Sequence, residues 1–186
     1  MNKLTALEKK WVLYDVGNSA FVLLASTIIP IYYKNLASSA GISGADSTAY
    51  LGYATSLVTI IVAVLGPVFG TLADTKGFKK PVFTFFLMMG VIGCAGLAVP
   101  KTWLLFLAVF VVAKVGLNSS FIFYDAMLND VTTDERMDLV SAQGYAWGYI
   151  GSCIPFVFSL VFVLFSESIG MSMGAAMMLA FFINAL

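Results

Sequence analysis

The 186-residue sequence contains no histidine. That removes the side chain best suited to acid–base work near neutral pH and the commonest metal ligand. Cysteine occurs only as Cys94 and Cys153, each inside an apolar run. Such residues read as small packing side chains, not as a disulfide or a metal site. No metal and no cofactor is expected. Charge is scarce: 11% of residues are Asp, Glu, Lys or Arg, against about a quarter in soluble domains. Acidic and basic residues balance at ten each, so nothing points to nucleic acid. No cleavable signal peptide is visible. Lys3, Glu8, Lys9 and Lys10 precede an apolar run too long for one and without a small-residue cleavage site.

Apolar surface is what the chain has in excess. Hydrophobic residues make up 60%, more than one small domain can bury, so lipid must cover the remainder. A bilayer crossing needs about 20 apolar residues. Five runs reach that length: Trp11–Tyr33, Ala49–Ala73, Pro81–Val99, Thr102–Tyr124 and Leu139–Phe165. A sixth begins near Met171 and covers only ~24 Å by Leu186, short of the ~30 Å hydrocarbon core. The expected fold is all-α and polytopic, one transmembrane domain over residues 1–186 with its sixth span truncated. The longest loop, Lys34–Thr48, is rich in Ser, Ala and Gly and reads as a flexible connector. Trp11, Tyr32, Tyr33 and Trp103 fall at span ends, where aromatic rings favour the headgroup zone.

Basic residues set orientation. With a cytoplasmic N-terminus, the inner segments hold seven (Lys3, Lys9, Lys10, Lys76, Lys79, Lys80 and Arg136) and the outer ones two, Lys34 and Lys101. Arg136 either pairs with the acidic residues around it (Asp130, Asp134, Glu135, Asp138) or marks the inner face.

Ionisable residues inside spans are costly and point to function. Asp15, Asn18, Ser19 and Ser26 share one face of the first span. Lys114, Asn118, Phe121 and Asp125 follow at spacings of 4, 3 and 4 in the fourth. Lys114 lies near mid-membrane and Asp125 ~16 Å closer to the inner end. A lysine reaches only ~6 Å, so Lys114 needs a cavity or a partner. It is suited to binding an anionic group such as a carboxylate. A carboxyl group taken out of water holds its proton more tightly, so Asp15 or Asp125 suits proton binding and release; capping or gate closure is the equal alternative. In the fifth span Gly144, Gly148 and Gly151 fall at small-residue spacing that lets helix backbones approach closely, and Pro155 follows.

The loop Gly70-Thr-Leu-Ala-Asp74-Thr-Lys-Gly77-Phe-Lys79-Lys80 is charged and glycine-punctuated. Gly70 allows close packing, Gly77 a tight turn, and Lys79 and Lys80 an anchor at an anionic leaflet. The loop resembles the signature between helices 2 and 3 of the major facilitator superfamily, with Thr75 and Phe78 where that family often carries basic residues. The segments Tyr14-Asp15-Val-Gly17-Asn18-Ser19, Phe123-Tyr124-Asp125-Ala126 and Gly144-Tyr-Ala-Trp147-Gly148-Tyr149-Ile-Gly151 resemble one branch of it. That branch holds the fungal vacuolar amino-acid effluxers linked to autophagy and bacterial relatives; it commonly has asparagine where Asp125 stands.

The resemblance implies the N-terminal half of a twelve-helix secondary transporter in a bacterial plasma membrane. Its partners would be a small solute, with amino acids the leading guess, a coupling proton, the lipid bilayer and the missing C-terminal half. Asp74 would cap and pair across to that half, with Lys79 and Lys80 serving the same cytoplasmic gate. The first and fourth spans would line the pathway, with Asp15 and Asp125 approaching each other at its inner mouth and Lys114 at substrate depth. The glycine-rich fifth span would pack against the other half. Two rivals stand beside this reading: a half-size carrier that dimerises, and an intramembrane enzyme built on Asp15 and Asp125.

Overall fold

A computed structural model describes residues 3–75 and 77–185; Lys76, counted above among the inner basic residues, and Leu186 lie outside them. The described residues form seven helices. α1 (Ala6–Ser26) opens on a capping box: Thr5 Oγ1 accepts from the Glu8 N–H at 3.3 Å, and Glu8 accepts from the Thr5 N–H at 2.7 Å. α2 (Ile28–Ser39) follows after Thr27 alone. Pro30 favours the break, since it lacks an N–H and its ring crowds the Ser26 carbonyl. The Ser26 and Thr27 hydroxyls donate back to the Val22 and Leu23 carbonyls, which bends the helix further. The expected span Trp11–Tyr33 is thus one bent unit of 34 residues, Ala6–Ser39.

α3 (Gly44–Asp74) starts after a connection of residues 40–43. The expected flexible connector Lys34–Thr48 is therefore mostly helical. Its alanines favour helix, and Ser43 caps α3 by accepting from the Asp46 N–H at 3.1 Å. α4 (Lys79–Gly96), α5 (Trp103–Val131), α6 (Asp134–Leu164) and α7 (Met173–Ala185) complete the set. Five units, α1 with α2, then α3, α4, α5 and α6, are long and apolar enough to cross a bilayer. The chain is an all-α, multi-pass integral membrane protein.

α1 packs along α6 and α4 along α5, while α3 lies on α5 and α7 meets α6 and α4. Missing side chains make the α4–α5 seam possible. A Cβ on Gly93 would stand 2.7 Å from the Ala113 Cα, and one on Gly116 2.6 Å from the Gly90 nitrogen. One core joins Leu24, Ile28 and Tyr33 to Phe106, Phe110 and Phe181; another, at the opposite end, holds Trp11, Val12, Tyr124 and Val140. Trp11 is 8% and Tyr33 0% exposed, so these two are core residues and not headgroup anchors. Cys94 is buried as expected, but Cys153 is exposed on α6. Along α3, Ile60, Val64 and Val68 face outward.

Candidate functional site

The polar face of α1 meets the glycines of α6. A Cβ on Gly144 would lie 2.7 Å from the Trp11 ring. One on Gly148 would lie 2.8 Å from Asp15 Oδ2 and 2.9 Å from Ser19 Oγ, and one on Gly151 would overlap Val16. The three glycines therefore form a groove that seats α1 of this same chain. They are not left open for another half, as the resemblance implied. Gly148 in particular leaves the notch that holds the Asp15 carboxylate.

Beside this groove α1, α5 and α6 line an open-sided cavity of about 500 Å³. Asp15, Asn18 and Ser19 line it from α1, and Phe121, Tyr124 and Asp125 from α5. α6 adds Ser141, Tyr145, Tyr149 and Ser152. Trp11 and Tyr124 form its floor as an interlocked pair. Their rings stack at 4.3 Å, Trp11 Nε1 donates to the Tyr124 carbonyl at 3.1 Å, and the Tyr124 hydroxyl donates to the Trp11 carbonyl at 3.2 Å. Asn18 is 6% exposed, and its Oδ1 has no hydrogen-bond partner.

Two ion pairs tie the helix ends together among the described residues. Arg136 binds Glu8 through Nε and Nη2, both at 2.9 Å, and Thr132 donates to the same carboxylate at 2.7 Å. Arg136 therefore pairs across to α1, not with the acidic residues beside it. Lys79 bonds Asp130 Oδ2 at 2.7 Å and the Ala126 carbonyl at 3.2 Å, joining α4 to α5.

The sequence profile of the family described as vacuole effluxer Atg22 like matches residues 43–186. The chain belongs to that Atg22-like family. YxiO of Bacillus subtilis (strain 168), an uncharacterized MFS-type transporter, is 47% identical over 190 residues, covering 100% of this chain and 44% of YxiO. The chain thus spans less than half the length of that relative. No solved structure matches it. The match and the relative's description place this Atg22-like chain among membrane-transport proteins of the major facilitator type.

Of the residues expected along the pathway, Asp15, Asn18 and Asp125 line one cavity in this Atg22-like chain. Lys114 and Asn118 do not line it. They are half-buried farther along α5, and Lys114 Nζ lies 5.4 Å from the centre of the Phe110 ring. In the loop after α3, Gly77 adopts φ +89°, the left-handed turn conformation. Asp74 and Lys80 are exposed, and Asp74 makes no ion pair among the described residues. A Cβ on Gly70 would meet nothing within 4 Å, so the close packing expected there is not made within the described residues. Sequence reasoning missed the role of Glu8, although Thr5-x-x-Glu8 is a legible capping box. It also missed the Gly90, Gly93 and Gly116 seam, signalled by small residues in two successive spans.

Proposed function

We propose that this chain is the first six-helix half of a twelve-helix secondary transporter that moves a small solute by alternating access. The polar cavity between α1, α5 and α6 carries the reading. Two carboxylates and a buried amide in a bundle with an apolar exterior are costly unless they serve a solute or an ion. The cavity would be this half's share of the central pathway, closed on the other side by the C-terminal half. The excess of basic residues on one side supports a cytoplasmic N-terminus in a bacterial plasma membrane. The family's description as vacuole effluxers supports an efflux-type carrier, with amino acids the first solutes to test and a proton on Asp15 or Asp125 the coupling ion. Asp74, Lys79 and Lys80 would form the inner gate against the other half.

The test is counterflow of labelled amino acids in vesicles holding the full-length protein, with and without a pH gradient. Accumulation that collapses in Asp15→Asn and Asp125→Asn variants of normal abundance would support the reading. Equal accumulation in protein-free vesicles would remove it.

A further inference from the structure

The chemistry of the cavity goes beyond transport to the kind of solute carried. Its lining holds two carboxylates, Asp15 and Asp125, and no lysine or arginine. Three of its N–H and O–H donors are already engaged within the protein. Trp11 Nε1 and the Tyr124 hydroxyl donate to each other's backbone carbonyls, and the Ser152 hydroxyl donates to the Tyr149 carbonyl at 3.0 Å. An anion entering here would meet two negative charges and only neutral hydroxyl and amide donors. An acceptor also lies at its wall: Asn18, shared with the neighbouring cavity that Phe21 and Cys94 line, is 6% exposed and its Oδ1 has no partner. A buried amide oxygen without a donor is costly, and it marks the place where a donor fits. Phe121, Tyr124, Tyr145 and Tyr149 add aromatic surface, which attracts cations through the ring faces. Lys114, the cation of α5, stands seven residues before Phe121, roughly 10 Å along the helix, so no cation among this half's described residues lines the cavity beside the two carboxylates.

We infer that the group recognised in this cavity is an organic cation bearing N–H donors, an ammonium or a guanidinium, held by Asp15, Asp125 and the Asn18 carbonyl. The inference rests on the transport reading and names the solute class of the same cavity. About 500 Å³ is within the range of small-molecule sites.

The experiment uses full-length protein in vesicles with Ser141→Cys on the cavity wall. A water-soluble methanethiosulfonate reagent is applied with agmatine, L-leucine or L-glutamate, and labelling is read at the residue-141 peptide by mass spectrometry. Agmatine should protect strongly and L-glutamate not at all. Asp125→Asn should weaken agmatine protection about tenfold or more, as expected when one charged hydrogen-bonding partner is removed. Asp125 is exposed, so that variant should fold even if Asp15→Asn, in its tight notch, does not. Protection by L-glutamate, protection by L-leucine without agmatine, or no protection by any probe overturns the cationic class. A Ser141→Cys thiol that stays unlabelled in all conditions overturns the transport reading itself, because the cavity would then be closed to solute.

Discussion

Arg136 grips both carboxylate oxygens of Glu8, each at 2.9 Å, across 128 residues of sequence. The glutamate has further donors in Thr132 and the Thr5 N–H. One side chain thereby caps α1 and fastens it to the α5–α6 connection. Glu8→Gln leaves the capping geometry possible but removes the charge, whereas Arg136→Ala strands a buried carboxylate. Both variants should melt at lower temperature than the parent in detergent, Arg136→Ala lower of the two. Equal melting temperatures for Arg136→Ala and the parent would show that the clasp adds nothing.

The Lys79–Asp130 pair should behave differently. Asp130 is 60% exposed, and water competes for both charges. Lys79→Ala is expected to cost roughly 0.2–1 kcal/mol, and raising salt should shrink the difference between variant and parent. A salt-independent loss would point to the bond from Lys79 to the Ala126 carbonyl as the larger contribution.

Glycine substitutions separate seams from open faces. Gly93→Ala must push against the Ala113 backbone at 2.7 Å, so a loss of about 1–3 kcal/mol is expected. Gly70→Ala meets nothing within 4 Å. It should be neutral or stabilising in this half, because alanine is the better helix former. Thermal unfolding of both variants measures the contrast. If Gly70→Ala instead impairs transport in the full-length protein at unchanged stability, Gly70 packs against the C-terminal half.

Asp74 ends α3, where the helix dipole disfavours a negative charge. Asp74→Asn should therefore leave membrane insertion and the stability of this half unchanged or slightly improved, while reducing transport by the full-length protein. Transport at the parent's rate in vesicles would remove Asp74 from the gate.

Much of this was legible in the residues. Length and hydropathy located all five units, with ends within about seven residues, because about 20 apolar residues are needed to cross lipid and few other structures satisfy the backbone there. The face shared by Asp15, Asn18 and Ser19 followed from helical periodicity alone. The break at Thr27 was not legible, because Pro67 and Pro155 lie inside continuous helices while Pro30 follows a break. The helical ends of the Lys34–Thr48 segment were not legible, because Ser, Ala and Gly suit a loop as readily as a capped helix.

Composition and period determined that this chain is a bundle of membrane helices and which side chains share a face of each. Only the tertiary structure decided the partners. Helical periodicity says nothing about which neighbouring helix a face will meet, so it could not show that Gly148 leaves room for Asp15 and Ser19, that Glu8 reaches Arg136, or that Lys114 stands apart from the cavity. Those pairings depend on close packing of whole helices, where a missing methyl group at one position fixes the approach of residues more than a hundred places away.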